Sequence, residues 1–430
     1  MSRAERREFV VVGSGLLGLA AARALGERGR DVVCLEQEHV GNERSGSRGS
    51  SRIFRLGYDD PLYVAMASRA EQDWRALEAA CGERLLEACS LLNFGEGLPE
   101  LMTGMSMAGG SCELVDADEV AARFPGIAIS GPAVLDLSAG VLRADRVLAA
   151  LCSTMRAELR ENVIVTGLAD DGRMGHVRTT GGPIEASAVI VCAGAGSREL
   201  LRTAGIECRT VATLEQVAYF GSATEASRAR SGDVDLLPAI IERVGVGSGA
   251  GADARAEARA AAGAEARAAA RAESEAASRA FPAWADRQPQ GESTKPWARA
   301  EQLALYGLPS PGTGWYKLGI HHTGPVVDPH EMSLEPDPAV TMRLVRAATS
   351  VLREIDPVPR LVERCIYDNT ADEHFVIDRV GRIVIGAGTS GHGFKFGPLL
   401  GSLLADLATG TRPTMPLDRF SARRSAMTGS

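Results

Sequence analysis

Short unbroken apolar runs and one Ala/Leu-rich stretch set the pattern at the start of this chain. Phe9 to Val12 is apolar throughout, and Asp31 to Leu35 is nearly so. Continuous apolar runs of this length predict strands buried on both faces, as in a parallel sheet. Between them, about Leu19 to Arg28 is rich in alanine and leucine and predicts a helix, closed by Gly29. Gly13-Ser14-Gly15-Leu16-Leu17-Gly18 joins the first strand to that helix. Ala188 to Ala193 repeats the strand signal and runs into Gly194-Ala195-Gly196. Arg382 to Ile385 does so again, ahead of Gly386-Ala387-Gly388.

The first three elements form the strand–turn–helix–strand context of a dinucleotide fingerprint. Gly13, Gly15 and Gly18 permit a tight turn, close approach to a pyrophosphate and close helix–strand packing. Glu36, eighteen residues past Gly18, is placed to bind a ribose hydroxyl. The motif alone does not separate FAD from NAD. Three glycine-tipped strand ends, far apart in sequence, point to one sheet converging on one long ligand, which favours FAD.

Composition narrows the class. At 430 residues the chain exceeds one simple core and implies two or three domains. A net charge of −8 argues against nucleic acid and gives no reason to expect anionic membranes. No apolar run approaches the roughly 20 residues of a membrane span. Met1 to Glu8 lacks the layout of a signal peptide, so a cytoplasmic location is expected. The eight cysteines include no C-x-x-C, and no metal is expected.

From Gly245 to Ser278 the sequence is low in complexity, with Gly, Ser and Ala first and then repeated Ala-Arg-Ala-Glu. Helix propensity there is high but no apolar stripe exists, which reads as an exposed insertion. With its flank it occupies 245–300.

Only three lysines occur, against forty-four arginines. Lys295 lies in a polar stretch. Lys317 and Lys395 lie in Gly-Trp-Tyr-Lys-Leu-Gly-Ile-His-His and Gly-His-Gly-Phe-Lys-Phe-Gly-Pro. An ammonium is a compact charge whose pKa moves on burial, whereas guanidinium is a planar fork that stays charged. Lysines that survive such a bias mark places where arginine does not serve. Arg52 and Arg55, three apart, share a face if their segment is helical, and arginine forks suit a carboxylate or phosphate.

Taken together, these runs resemble the family of sarcosine oxidase, N-methyltryptophan oxidase, pipecolate oxidase and related secondary-amine oxidases. The resemblance rests on the fingerprint, Ser50-Ser51-Arg52-Ile53-Phe54-Arg55, and Lys317-Leu318-Gly319 with His321. It rests most on Cys365-Ile366-Tyr367 through Asp372-Glu373-His374-Phe375, followed by Ser390-Gly391-His392-Gly393-Phe394-Lys395-Phe396. It implies an α/β fold. An FAD-binding Rossmann-type, glutathione-reductase-like domain would carry a second, mixed-sheet α+β substrate domain. The FAD-binding part is expected at 1–60, 141–205 and 356–430, and the substrate part at 61–140 and 206–355.

Site roles also follow from the resemblance. Cys365 corresponds to a cysteine bonded to the FAD 8α-methyl. Arg55 and Lys395 correspond to a clamp on the substrate carboxylate. Lys317 corresponds to a lysine that activates oxygen, a fixed cation for developing negative charge. Tyr306, His321 and Tyr367 match pocket positions. Further cofactor contacts are implied at Arg48, Ser51, Arg52, Gly194, Gly391, Gly393, Phe394 and Lys395. Where family members often carry His-His, this chain has Ser47-Arg48. The implied activity is hydride transfer from an N-methyl or cyclic amino acid, with O2 as acceptor and an imine and H2O2 as products. The expected partners are that small substrate and O2, with the protein a monomer. A dehydrogenase using another acceptor, a biosynthetic cyclic-imine oxidase, and a structural-flavin protein with the Ala/Arg/Glu arm as interaction module stay open beside it.

Overall fold

The structure, a computed structural model, describes residues 4–107, 109–223, 237–243 and 305–424. The 245–300 insertion lies outside the described residues. Two large sheets organise the rest.

The first sheet is built from the apolar runs. Glu5–Val12 lies between Val32–Leu35 and Ile184–Val191, parallel to both, and Ile383–Ala387 pairs parallel with Ile184–Val191. Each of these strands is buried at the end that approaches the glycine turns. The Leu16–Glu27 helix begins inside the fingerprint, earlier than the Ala/Leu count predicts. It packs on Gly397–Thr409 so closely that a Cβ on Gly401 would stand 2.5 Å from Ala20.

The second sheet runs in the order Leu361–Asn369, Val211–Phe220, Trp315–Ile320, Leu305–Ser310, Ala239–Arg243, Leu91–Gly95, Ala133–Asp136, Cys112–Val115. The Pro338–Val351 helix covers one face through Leu344, Val345, Ala347, Ala348 and Val351. Among the described residues no helix is long and apolar enough to cross a membrane.

Three expectations differ from this architecture. The first is a return to the nucleotide fold at about 356. Instead Leu361–Asn369 pairs antiparallel with Val211–Phe220, from Leu361↔Tyr219 to Asn369↔Val211, and the chain rejoins the first sheet at Val376–Val380. The second concerns Pro61–Cys81, which falls in the stretch expected to build the substrate unit. Its stripe of Tyr63, Met66, Ala67, Ala70, Trp74 and Leu77 instead shares one apolar core with Leu16–Glu27 and Gly397–Thr409. That stripe has helical spacing and needs an apolar cover, which the neighbouring helices supply. Finally, Arg52–Phe54 is a strand, paired with Gly140–Leu142, so Arg52 and Arg55 do not share a helix face.

Candidate functional site

The fingerprint turn shows why its glycines are needed. Gly13 has φ 95°, and a Cβ there would stand 2.4 Å from the Cys192 carbonyl oxygen. A Cβ on Gly18 would stand 1.8 Å from the Gly13 carbonyl oxygen, so Gly18 serves helix–strand packing rather than lining the cavity. Glu36 is buried at the end of its strand. One carboxylate oxygen accepts from the Ser14 N–H (2.9 Å) and hydroxyl (2.8 Å), and the other from the Glu38 N–H (3.2 Å).

From this turn a cavity of about 720 Å³ runs between the two sheets. Gly13, Gly15, Glu36 and Gly194 line one part of it, and Arg55, Tyr306, Lys317, His321, Tyr367 and Lys395 another. Ser51, Arg52, Cys365, Gly391, Gly393 and Phe394 also line it. Arg48 does not; its side chain is exposed and lies 3.7 Å from Glu43. Only its carbonyl takes part, accepting from the Arg52 guanidinium.

Lys317 and Lys395 are 4% and 6% exposed. The Lys317 ammonium donates to the Ser51 carbonyl (3.2 Å), and the Lys395 ammonium to the His392 carbonyl (2.9 Å). Burial, with Arg52 nearby, brings Lys317 down to about 7, against the opposing pull of Cys365 and Glu363. Burial, then Arg55, pushes Lys395 well below its ordinary value. The Arg55 guanidinium lies over the Tyr58 ring at 4.1 Å and donates to the Gly57 carbonyl. Burial pushes the Cys365 thiol up, while Arg52 and Lys317 pull it down.

The aromatic wall is tied together. Tyr306 stacks on His321 with centroids 4.2 Å apart, and the Tyr367 hydroxyl lies 3.2 Å from His321 Nδ1. Burial, then His322 and Lys395, holds His321 well below its ordinary value, so the ring is neutral. Gly391, with φ 73°, lets Tyr367 pass; a Cβ there would meet the ring at 2.2 Å.

Several contributors carry no local motif. Tyr219 faces Lys317 across paired strands, with the ammonium 5.6 Å from its ring. Its hydroxyl donates to Glu363 (2.7 Å) and accepts from Ser50 (3.1 Å). Glu215, the cross-strand partner of Cys365, accepts from the Thr323 N–H (3.1 Å) and Gly324 N–H (2.9 Å) beyond His321. Asp368 accepts from the Gly388 N–H at 2.6 Å, and burial raises it to about 6. Strand register in the folded chain reveals these residues; side-chain type in the sequence does not.

The profile of the DAO family, described as FAD dependent oxidoreductase, matches residues 8–272 and 239–407. The chain belongs to that family. Peroxisomal sarcosine oxidase of Homo sapiens is 28% identical to it, over 97% of this chain and 96% of its own. N-methyl-L-tryptophan oxidase of Yersinia pestis is 25% identical, over 97% and 99%. The solved open form of NikD, an amino acid oxidase essential for nikkomycin biosynthesis, has a TM-score of 0.75. It is 23% identical, over 97% of this chain and 98% of its own.

The cavity of this FAD-dependent oxidoreductase fits its cofactor. It begins at the fingerprint, and the buried carboxylate of Glu36 lines it. At Gly194 a Cβ would enter open space, with nothing within 4 Å. Gly13, Gly15, Glu36, Ser51, Arg52, Gly194, Gly391, Gly393 and Phe394 are the lining residues available to hold FAD.

Proposed function

We propose that this chain is an oxidase of a secondary-amine amino acid, N-methylated or cyclic, with O2 as electron acceptor. The observation that carries the reading is the meeting of two buried ammonium groups, Arg55 and the Cys365 thiol on one cofactor cavity. The names of the relatives support the substrate class.

Bound FAD supplies the two-electron acceptor for a C–H bond beside nitrogen. Arg55 and Lys395 grip the substrate carboxylate and fix its orientation, which is most of what a protein adds to such chemistry. The wall of Tyr306, His321 and Tyr367 excludes water and holds the amine. A neutral His321 repels no ammonium and can share a hydrogen bond with the amine nitrogen. Lys317 offers a compact positive charge where charge develops during oxygen reduction, in a site of low dielectric. Cys365 tethers the cofactor. The protein acts as a cytoplasmic monomer whose nucleotide and substrate parts are the two sheet systems.

The test is a peroxide assay over sarcosine, other N-methyl amino acids, proline, pipecolate and cyclic imines. Peroxide from at least one is expected. Reduction of a dye without oxygen, with no peroxide in air, would instead favour a dehydrogenase. The tether is tested by acid denaturation. Yellow colour stays with the chain, and Cys365→Ser releases it; colour released from the unaltered protein removes the tether.

A further inference from the structure

Three side chains at the Lys395 end of the cavity, Arg55, His392 and Lys395, meet at Tyr58. His392 is partly buried in the wall of the cavity, its Nε2 3.0 Å from the Glu373 carbonyl and its Nδ1 3.4 Å from the Tyr58 hydroxyl. The His392 carbonyl accepts from the Lys395 ammonium at 2.9 Å. Arg55 lies over the face of Tyr58 at 4.1 Å, and the Lys395 ammonium is 5.6 Å from the same ring. We propose that His392 is a positioning residue that sets the spacing of Arg55 and Lys395, its ring holding the first through Tyr58 and its carbonyl holding the second. This rests on the reading of Arg55 and Lys395 as a carboxylate clamp.

Hydrogen-bonding capacity dictates the arrangement. A carbonyl only accepts, so Nε2 must carry a hydrogen and donate to Glu373. A neutral ring then has Nδ1 as its acceptor, and the Tyr58 hydroxyl must donate to it. Burial, then Lys395, pushes the ring's pKa well below its ordinary value, in keeping with the neutral form. Burial also pushes Tyr58 up to about 12, so the phenol keeps the hydrogen it donates. With its hydroxyl held, Tyr58 cannot swing, and it presents a ring face to both cations. An aromatic face attracts cations. Here both cations lie against one ring, the Arg55 guanidinium 4.1 Å and the Lys395 ammonium 5.6 Å from its centre. Lys395 spends one of three donors on His392, which aims the others. Holding both side chains before the anion arrives reduces the rotamer freedom lost on binding.

The experiment uses the holoenzyme and acetate as probe, read as the perturbation of the flavin absorption spectrum, with acetamide as uncharged control. His392→Gln keeps a donor near Nε2 but removes the acceptor for Tyr58. His392→Asn keeps an acceptor near Nδ1. Tyr58→Phe removes only the hydroxyl and keeps the ring. Acetate Kd is expected to rise about tenfold in His392→Gln and in Tyr58→Phe, as for a lost hydrogen bond. The rise should be about threefold or less in His392→Asn, and the double variant His392→Gln/Tyr58→Phe should be no worse than either single one. KM should rise while kcat changes little. Acetate binding in both His392→Gln and Tyr58→Phe equal to that of the unaltered protein overturns the proposal, provided Arg55→Ala and Lys395→Ala lose it. If those two variants also bind acetate normally, the clamp itself is wrong. Should His392→Gln fail to fold, Tyr58→Phe decides the matter by itself, because it changes one oxygen atom.

Discussion

The two ends of the cavity handle polarity in opposite ways. At the fingerprint end, recognition is made of backbone and small side chains, and the buried carboxylate of Glu36 is already held by three donors. At the lysine end the cations hydrogen-bond to neutral carbonyls. Lys317 bonds to the Ser51 carbonyl, Lys395 to the His392 carbonyl and Arg55 to the Gly57 carbonyl. Buried charge without a counter-charge is costly, and it shifts its pKa or waits for a partner. The first end is complete in itself. The second, on the function proposed above, receives its negative charge from the substrate and from oxygen.

That contrast can be broken by mutation, and the largest effect belongs to the clamp. Arg55→Ala or Lys395→Ala should weaken binding of a simple carboxylate by roughly 2–5 kcal/mol, the range for breaking a desolvated charge pair. FAD content should hardly change. Spectral titration with acetate measures the first and the ratio of flavin to protein absorbance the second. Unchanged acetate binding would contradict the clamp.

Next comes Lys317→Met, a substitution of similar length without charge. Reoxidation by air should slow by about 10²–10³-fold, as when a preorganised electrostatic group is removed. Flavin reduction by substrate without oxygen should slow much less. Stopped-flow measurement of the two half-reactions separates them, and the reverse pattern would move Lys317 to the substrate side. At the other end, Gly13→Ala combines a positive φ with a clash on backbone, and should cost about 1–3 kcal/mol of stability. There FAD content should fall while the acetate affinity of the residual holoenzyme stays normal. A variant that keeps its FAD and melting temperature would mean that the turn relaxes more easily than its packing implies.

The same contrast decides how much can be read from the chain itself. The fingerprint end is local. Strand, turn, helix, strand and Glu36 fall within one short stretch, and each part has its own spacing rule. The lysine end is assembled from the segments around Arg55, Tyr306–His321, Cys365–Tyr367 and Gly391–Lys395, which only folding brings together. Resemblance to a family locates these residues; periodicity does not. Local spacing by itself misleads at Arg52 and Arg55, whose separation of three suits a helix but lies in and beside a strand. Cross-strand register is invisible as well. Tyr219 and Glu215 are ordinary residues of an apolar strand until Val211–Phe220 is aligned with Trp315–Ile320 and Leu361–Asn369, which sets them opposite Lys317 and Cys365. The same long-range pairing holds 361–369 in the second sheet, where sequence order alone would put it in the first.

The smallest expected effect comes from pH and sharpens the comparison within the lysine end. A free lysine titrates near 10.4 and would stay charged throughout the working range. Lys317 is brought to about 7 by burial beside Arg52. Its ammonium is therefore present below about 7 and is lost as pH rises through that value. If that charge speeds reoxidation, the rate constant should fall across this window, by about tenfold per pH unit at most once the neutral form dominates. The rate in Lys317→Met should be low and flat over the same range, because the group that titrates is gone. Acetate binding gives the internal contrast. A bound carboxylate favours the charged form of Lys395, so affinity should weaken as pH rises through the lowered pKa that burial gives Lys395 in the free protein. A reoxidation rate that is level from pH 6 to 9 in the unaltered protein would mean that Lys317 keeps its proton when the cavity is filled, or does not act on oxygen. Comparison with the Lys317→Met rate separates those two outcomes: a large, pH-independent gap indicates a retained charge, and no gap indicates no role.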